Sequence, residues 1–505
     1  MSHARIQLDT HHHVGTVDRR IFGGFAEHLG RCVYEGMYDP GNTHRLIDGN
    51  GFRTDVLQAL RPLAMPIMRY PGGNFVSCYD WRDGIGPRDK RPVRRDFAWR
   101  SLESNQFGTD EFMQWCKLAN TEPMMAVNLG TGGAAEAAAL LEYCNLGTGS
   151  AWADLRKANG HADPYNVKLW CLGNEMDGPW QAGHCPAGVY AQRAREAGAM
   201  MKGLDRSIET VACGSSGRGM ATYLAYDREV LEYAWDSVDY ISAHRYSNNL
   251  IDDSAWYLAE GVEVDRVITD YASLLGYVRG MKRSDKQVHL SFDEWNAWYR
   301  SNTGDHVDGH WQHAPHLLEE WYNLEDALVA AQYLNAFIRR ADVVKVACLA
   351  QIVNVIAPIM TKPDGLVLQT IYHAFVMFAQ NVMSGSRSLT PVVQSPVYKA
   401  GQRGDVPALD VSATFNPANG SINVFCVNRR QTDPITAFVD IGDRTVTAIE
   451  QTTQLAGDDL KAGNTFDAPG RVRPTAGSAV LEDNRVRVTV PRTGFVAVRL
   501  ASRPG

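Results

Sequence analysis

The stretch Leu169-Trp-Cys-Leu-Gly-Asn-Glu-Met-Asp177 is an apolar run that ends abruptly in Gly173, Asn174 and Glu175. Its apolar part has the length and composition of a buried β-strand. The amide of Asn174 and the carboxylate of Glu175 would then face whatever lies beyond the end of this strand. The rest of the chain therefore has to supply what faces Asn174 and Glu175.

Seven further apolar runs alternate with segments of helical spacing, which is typical of repeated βα units around a parallel sheet. One of these helical segments is 110–120, for which we expect Thr109 to be the N-cap. Eight strands over roughly 360 residues predict an α/β fold, a (β/α)8 TIM barrel with enlarged loops, and an open doubly wound sheet is the alternative. The eight predicted strands are 21–26, 67–70, 124–128, 167–173, 210–214, 240–243, 288–292 and 343–350.

The pattern of apolar and polar residues changes after about residue 384. Helical periodicity stops, and short alternating strands follow one another between turn signals such as 416–420. This pattern predicts a C-terminal antiparallel β-sandwich. We therefore expect a catalytic barrel over residues 17–384 and a β-sandwich over residues 385–505. The isolated strand in residues 1–16 is expected to add to the β-sandwich.

Composition excludes several classes of partner. The 505 residues carry a net charge of -7, so the basic surface that nucleic acid requires is absent. The nine cysteines are scattered without a C-x-x-C pair, which predicts reduced thiols and no thiolate metal site. No apolar stretch approaches the ~20 residues of a membrane span, and the start has no signal-like apolar region. We expect a cytoplasmic protein that needs neither metal nor cofactor.

In a TIM barrel the active site lies at the C-terminal ends of the strands, so polar residues that end the apolar runs are the candidates. Every predicted strand except the fifth supplies at least one. In chain order they are Glu27 and His28, Arg69 followed by Asn74, Asn128, Asn174 with Glu175, His244 with Tyr246, Asp293 with Glu294 and Trp295, and Gln351 with Asn354.

Two of these candidates, Glu175 and Glu294, end strands four and seven, which lie nearly opposite each other across a barrel. Glycoside hydrolysis needs such a pair, because one carboxylate attacks the anomeric carbon and the other protonates the leaving oxygen. Asn174 can hold a sugar hydroxyl, Arg69 can keep a carboxylate ionised, and Tyr246 can orient the nucleophile. Asp293 competes for the nucleophile role, but strand alternation predicts that only one of Asp293 and Glu294 points into the site.

Aromatic residues follow several strand ends, where flat rings can stack on sugars. Packing in the core or in a lid explains any one of them equally well. They are Trp99, Trp180, Trp298, Tyr299 and Trp311.

Four segments carry a family resemblance. They are Ile21-Phe-Gly-Gly-Phe-Ala-Glu-His-Leu-Gly-Arg31, Met68-Arg-Tyr-Pro-Gly-Gly-Asn74, Trp170-Cys-Leu-Gly-Asn-Glu-Met-Asp-Gly-Pro-Trp-Gln181 and Ser291-Phe-Asp-Glu-Trp-Asn296. Together they resemble the α-L-arabinofuranosidases of glycoside hydrolase family 51, in the retaining clan A, over essentially the whole chain. Family members are typically intracellular and often hexameric, so the resemblance implies a cytoplasmic homo-oligomer.

The resemblance also implies roles for individual residues. In the clan, the Glu of an Asn-Glu pair after strand four is the acid/base and a Glu after strand seven is the nucleophile, which correspond to Glu175 and Glu294. The implied support for the nucleophile is Arg69 and Tyr246. The implied substrate-binding residues are Glu27, Asn74, Asn174, Tyr246 and Gln351 around the sugar, and Trp99 and Trp298 around the leaving group.

These inferences predict a retaining exo-acting α-L-arabinofuranosidase, a hydrolase of L-arabinose and hemicellulose metabolism. Its substrates would be arabinose-containing oligosaccharides from arabinan or arabinoxylan. Two alternatives stay open at this point, an endo-β-glucanase or xylanase of the same clan and a non-catalytic carbohydrate-binding protein. The resemblance does not extend to the loops at 247–267 and 300–318, which would form the outer pocket and set the leaving-group preference, so that preference stays open.

Overall fold

The computed structural model of the chain describes residues 2–299 and 310–505. Its α-helices surround the barrel and are, in chain order, α1 (Thr54–Leu60), α2 (Thr109–Ala119), α3 (Ala134–Asn145), α4 (Ala151–Ala158), α5 (Ala187–Leu204), α6 (Ala225–Ala234), α7 (Ser254–Tyr257), α8 (Glu260–Lys282), α9 (Leu324–Arg339) and α10 (Thr370–Ala379). The short 3-10 helices are Arg19–Phe22, Arg61–Leu63, Asn74–Cys78, Trp81–Gly84, Arg88–Lys90, Trp235–Ser237 and Gly401–Arg403.

The strands up to residue 368 are β1 (Ser2–Leu8), β2 (His13–Thr16), β3 (Gly23–Phe25), β4 (Ile67–Tyr70), β5 (Arg94–Arg95), β6 (Leu102–Glu103), β7 (Glu122–Val127), β8 (Leu169–Leu172), β9 (Glu209–Ala212), β10 (Tyr240–Ser247), β11 (His289–Ala297), β12 (Val344–Ala350), β13 (Ile359–Lys362) and β14 (Gly365–Leu368). The later strands are β15 (Arg387–Leu389), β16 (Val392–Gln394), β17 (Val397–Lys399), β18 (Asp405–Pro407), β19 (Leu409–Asn416), β20 (Ser421–Asn428), β21 (Ile435–Ile441), β22 (Arg444–Ala456), β23 (Thr475–Ala476), β24 (Ser478–Glu482), β25 (Arg485–Val490) and β26 (Gly494–Pro504).

Eight parallel strands close into a barrel in the order β3-β4-β7-β8-β9-β10-β11-β12, with β12 paired to β3. Each predicted run overlaps one of them, so the (β/α)8 prediction is confirmed and the open doubly wound sheet is wrong. The opening stretch is β8, whose residues Leu169–Leu172 are all buried. One local expectation was wrong: α2 begins at Thr109 itself, and Gly108 is its N-cap.

The C-terminal part forms two sheets that share one buried apolar cluster, as the predicted β-sandwich requires. Their strand orders are β16-β1-β21-β25-β24 and β2-β15-β19-β20-β26-β22-β23. Pairing within them is antiparallel except where β1 runs parallel to β21. Of the two N-terminal strands, β1 thus lies in the first sheet and β2 in the second. The exact division at residues 384 and 385 stays a prediction.

A buried ion-pair cluster connects the β-sandwich to the barrel. Asp410 of β19 lies 3.0 Å from Arg339 of α9 and 3.0 Å from Arg429, and Asn335 of α9 donates to it at 2.7 Å. Burial raises the pKa of Asp410, but the two guanidinium groups outweigh burial and hold it below its usual range. Removing one partner of such a cluster would leave an unpaired buried charge. The cluster therefore ties the β-sandwich to α9 of the barrel.

None of the helices in residues 2–299 and 310–505 is long and apolar enough to cross a membrane. All nine cysteines are free thiols.

Candidate active site

Four strands from different parts of the barrel bring one polar cluster together at its C-terminal mouth. Arg69 ends β4, Asn174 and Glu175 follow β8, and β10 and β11 supply the remaining members. Arg69 is 1% exposed, and it donates from Nη1 to Glu294 Oε1 at 2.6 Å and from Nη2 to Asn174 Oδ1 at 2.7 Å. One guanidinium therefore fixes a carboxylate and an amide relative to each other.

Glu294 has two donors of different kinds. Arg69 binds Oε1, and the hydroxyl of Tyr246 on β10 donates to Oε2 at 2.8 Å. Burial, and then the negative charge of Glu294, raise the pKa of Tyr246 well above its ordinary value, so Tyr246 keeps its proton and remains a donor. Both oxygens of Glu294 are thus held in one orientation, as a carboxylate that attacks carbon requires.

Glu175 is contacted by a histidine and a tryptophan. His244 Nδ1 lies 2.9 Å from Glu175 Oε1, and the indole N–H of Trp180 donates to Oε2 at 2.7 Å. Glu175 itself adopts φ +43°, in the left-handed region that residues other than glycine seldom occupy. The backbone turn after β8 therefore aims this side chain across the mouth rather than along the strand.

His244 connects the carboxylates of the cluster. Its Nδ1 faces Glu175 and lies 3.5 Å from Glu294 Oε2, while Nε2 lies 3.2 Å from Asp293 Oδ1. Burial lowers the pKa of His244, but the charge of Glu294 and hydrogen bonds to Asp293 and Glu175 outweigh burial and raise it to about 10. The ring is consequently an imidazolium at neutral pH and donates from both nitrogens.

The two catalytic candidates are close to each other. Carboxylate oxygens of Glu175 and Glu294 and a ring nitrogen of His244 all lie within 4.8 Å of one another. Glycosidases that form a covalent intermediate have carboxyl groups about 5 to 5.5 Å apart, and those that invert have them about 6.5 to 9.5 Å apart. The oxygen-to-oxygen distance here is shorter than the range of the inverting enzymes.

The expectation that only one of Asp293 and Glu294 points inward was wrong. Along β11 the pairing with β10 advances from Ser242↔Ser291 to His244↔Glu294, so β11 carries an extra residue at this point. This irregularity lets both side chains face the barrel interior. Asp293 lies deeper, where its Oδ2 is 3.7 Å from Arg69 Nε. Burial raises its pKa, but Arg69 and His244 lower it below the usual range.

Glu27, which follows β3, forms a second, separate part of the mouth. Its Oε1 accepts from the indole N–H of Trp99 at 2.9 Å and from the backbone N–H of Phe75 at 3.0 Å. Gln351 Nε2 lies 3.2 Å from Oε2. Burial, reinforced by the charge of Glu294, raises the pKa of Glu27 to about 8. A neutral carboxyl at pH 7 can both donate to and accept from a sugar hydroxyl.

The backbone of Gly72 and Gly73 runs between these two parts. A Cβ at Gly73 would lie 3.0 Å from Glu294 Oε1, 3.4 Å from Asn174 Nδ2 and 3.4 Å from Glu27 Oε2. The absence of a side chain at Gly73 therefore leaves the space that all three groups surround. Asn74 follows directly and begins a 3-10 helix at the same edge.

The predicted aromatic residues divide into two groups. Trp99 binds Glu27, and the ring of Trp298 meets Tyr246 edge-on with 5.3 Å between centroids, so both lie at the mouth. Tyr299 instead donates to Asp326 at 2.6 Å, and Trp311 lies beside Arg95, with 4.9 Å between the guanidinium carbon and the ring centroid.

Three of the predicted strand-end residues bind other parts of the protein and not the residues of the site. His28 bridges Glu103 and the hydroxyl of Tyr70, each at 2.7 Å. Asn128 Oδ1 accepts from the backbone of the following turn, and Asn354 donates to the carbonyl of Arg31 at 2.9 Å.

Sequence reasoning missed the contact that supports Asn174. Gln181 Oε1 lies 3.5 Å from Asn174 Nδ2, and Gln181 Nε2 in turn binds the hydroxyl of Ser77. Gln181 ends the quoted segment 170–181, so its position was visible, but no spacing pattern indicated that it would fold back. Of the two loops expected to set leaving-group preference, 247–267 contains α7 and the start of α8, and 300–309 lies outside the described residues.

Within residues 2–299 and 310–505, two clusters each bring three potential metal ligands together, namely Asp9, His11 and Asp443, and the site group Glu175, His244 and Glu294. The first includes the exposed His11. In the second, both ring nitrogens of His244 already face carboxylates, Nδ1 facing Glu175 and Nε2 facing Asp293.

Comparison with known proteins identifies the class. Residues 59–258 match the family model described as Alpha-L-arabinofuranosidase 1 domain, and residues 293–493 match the Alpha-L-arabinofuranosidase C-terminal domain. The chain is 43% identical to an intracellular exo-alpha-(1->5)-L-arabinofuranosidase of Halalkalibacterium halodurans over 99% of each protein. It is 40% identical to an exo-alpha-(1->6)-L-arabinofuranosidase of Bifidobacterium longum, over 99% of this chain and 98% of that one.

A solved structure agrees. AbfB, a family 51 alpha-L-arabinofuranosidase from Bifidobacterium longum, superimposes with a TM-score of 0.94 at 37% identity, covering 99% of this chain and 100% of the other. The fold and site thus define a glycoside hydrolase with two carboxylates at a TIM-barrel mouth. The chain belongs to the α-L-arabinofuranosidases of glycoside hydrolase family 51, and it is an exo-acting α-L-arabinofuranosidase.

Proposed function

We propose that the enzyme hydrolyses terminal α-L-arabinofuranosyl residues with retention of configuration, with Glu294 as the nucleophile and Glu175 as the acid/base. One observation carries the proposal: an oxygen of Glu175 lies within 4.8 Å of an oxygen of Glu294, and the two carboxylates have different surroundings. Glu294 is bound by a permanent cation, Arg69, whereas Glu175 is bound by His244 and Trp180. Such separation of environments is how two carboxylates acquire different roles.

In the first step, Glu294 attacks the anomeric carbon, the glycosidic bond to the leaving oxygen breaks as that oxygen takes the proton of Glu175, and a glycosyl-enzyme ester forms. In the second step, Glu175 removes a proton from water, the water oxygen attacks the anomeric carbon, and the ester bond to Glu294 breaks. Arg69 and Tyr246 position the nucleophile throughout, and His244 stabilises the negative charge that alternates between the two glutamates.

The sugar would occupy the space beside Gly73. Glu27 and Asn174 border this space, Gln351 binds Glu27, and Asn74 follows Gly73 in the chain; these four residues would bind the hydroxyl groups of the sugar. Trp99 and Trp298, at the same mouth, would receive the leaving group. Tyr246 reaches both the nucleophile and this region, so it would contact the substrate as well.

The proposed substrates are short α-(1→5)-linked arabino-oligosaccharides derived from arabinan or arabinoxylan. The support is the name of the Halalkalibacterium relative, and the (1->6) relative is the competing possibility. Several relatives are named intracellular, which supports a cytoplasmic place in hemicellulose and L-arabinose metabolism. We further propose a homo-oligomer, for which the hexamers common in the family are the precedent; light scattering on the purified protein tests it.

The test follows the first sugar released from an aryl α-L-arabinofuranoside by NMR. We expect the α-anomer first and the β-anomer only after mutarotation. Initial release of the β-anomer would contradict retention. Parallel assays on (1→5)- and (1→6)-linked arabino-oligosaccharides, with aryl β-xyloside and β-glucoside beside them, should give free arabinose fastest from the (1→5) series.

A further inference from the structure

Trp180 combines exposure with a directed hydrogen bond. Its side chain is 51% exposed, yet its indole N–H points inward and donates to Glu175 Oε2 at 2.7 Å. The side chain of Glu175 is 11% exposed, so this N–H closes part of its solvent-facing side. An exposed tryptophan whose only polar atom binds a catalytic candidate is placed by that bond as well as by apolar contact.

The local backbone holds the ring in place. The N–H of Gly178 donates to the carbonyl of Glu175 at 2.8 Å, and Gln181 N donates to the carbonyl of Gly178 at 3.0 Å, so two consecutive turns carry Trp180 back over Glu175. The indole lies against Gly178, where an added Cβ would be 2.6 Å from Trp180 Cε2 and 3.0 Å from its Nε1. Any side chain at Gly178 would therefore push the indole away.

We propose that Trp180 is a positioning residue for Glu175, and that its indole N–H stabilises the carboxylate form of Glu175 and so sets the pH at which the acid/base loses its proton. The inference rests on the proposed role of Glu175 and adds to it. A donor favours the ionised form of the carboxyl it binds. When Glu175 is protonated to act as the acid, the bond weakens, and when it is ionised to act as the base, the bond is restored.

Other charged and titratable groups also face Glu175, and none of them is changed by altering Trp180. His244 binds the opposite oxygen, Oε1, and would keep the side chain at the mouth. The remaining groups act through space, and they are Glu294, Tyr246 and Asp177. Replacing Trp180 by phenylalanine would remove the donor and keep a smaller aromatic ring beside Gly178.

The experiment measures kcat/KM against pH for Trp180→Phe and for the wild type, because this profile reports the ionisations of the free enzyme. Activity falls at high pH as the acid loses its proton. Without the donor, the high-pH limb should move upward by about 0.5 to 1 pH unit. Gly178→Ala, which displaces the indole without removing it, should move the limb in the same direction. Trp321→Phe, at another half-exposed tryptophan that contacts Phe466, is the matched control and should leave the limb in place.

An unshifted high-pH limb in Trp180→Phe, with the melting temperature of the wild type, would overturn the proposal. The separate role of Glu175 is read from Glu175→Ala, whose loss of activity should be far greater for poor leaving groups than for good ones. If that dependence holds and the limb in Trp180→Phe does not move, only the role of Trp180 fails. If Glu175→Ala has no leaving-group dependence, the proposed function fails first.

Discussion

The two glutamates of the mouth are alike in type, and their side chains are 11% (Glu175) and 7% (Glu294) exposed, but their surroundings differ. Glu294 is bound by Arg69 and Tyr246, which both lie on barrel strands. Glu175 is bound by His244 from a strand and by Trp180 from the loop after β8. Arg69 is a cation at every relevant pH and binds Glu294, whereas Glu175 shares the ring of His244 with Glu294 and has the neutral N–H of Trp180 as its other donor. The comparison indicates a fixed anion on one side and a proton carrier on the other.

Asp293 makes this asymmetry possible. It lies below His244 and Arg69 and has a pKa below its usual range, because these two cations outweigh the effect of burial. A permanent negative charge at this depth keeps His244 protonated. The imidazolium can then stabilise the negative charge of Glu175 and of Glu294 in turn.

The largest effect should come from removing the nucleophile. Glu294→Gln should lower kcat by about 10⁴-fold or more for every substrate, because no other group can form the covalent intermediate. Steady-state assays with aryl and oligosaccharide substrates check this, and an unchanged circular dichroism spectrum shows that the fold persists. A variant that loses activity on only one class of leaving group would contradict the assignment.

Glu175→Ala should produce a smaller and selective loss. For oligosaccharides the first step needs acid assistance, so kcat/KM should fall by about 10² to 10⁴-fold. For an aryl substrate with a good leaving group kcat/KM should change little, whereas kcat should fall because the second step lacks its base. Added azide should restore turnover of the aryl substrate and give an arabinosyl azide. Equal losses on both substrates would instead indicate a structural role.

Tyr246→Phe should have a moderate effect, and this effect should come from the loss of support for Glu294. Loss of one hydrogen bond to a carboxylate should lower kcat by about 10-fold to 10²-fold. Because Tyr246 binds Glu294 and not Glu175, the loss should be similar for good and poor leaving groups. A strong dependence on the leaving group would place Tyr246 with the acid/base instead.

Glu27→Gln should have the smallest effect at neutral pH and a distinct pH signature. The carboxyl of Glu27, with a pKa raised from 4.5 to about 8, is neutral in the folded state at pH 7, and Gln preserves that neutrality. The folded wild type holds this proton when the unfolded chain has lost it, so Glu27 lowers stability progressively as pH rises from 4.5 to 8. Melting temperatures across this range should fall less in Glu27→Gln than in the wild type. Parallel curves would contradict a raised pKa.

Much of this architecture could be predicted from the sequence. The eight apolar runs located the barrel strands, and the rule that parallel-barrel sites lie at strand ends selected Glu175 and Glu294. The same rule also selected His28 and Asn354, which bind framework groups instead. A polar residue at a strand end is therefore a candidate for the site, but its position alone does not decide its role.

What could not be predicted depends on local geometry that has no periodic signal. The extra residue in β11 turns Asp293 inward, against the alternation that a regular strand would impose. The contact of Trp180 with Glu175 depends on two turns and on the space above Gly178. The raised pKa of Glu27 results from complete burial beside Glu294, which arises only when the barrel closes.

The most direct test of the central claim is to label the nucleophile. A 2-deoxy-2-fluoro-arabinofuranosyl compound with a good leaving group should trap the glycosyl-enzyme, because the fluorine slows its hydrolysis. Peptide mapping by tandem mass spectrometry should then place the added sugar on Glu294. A label on Glu175 or on Asp293, or a protein that turns over the substrate without ever carrying a label, would contradict the account.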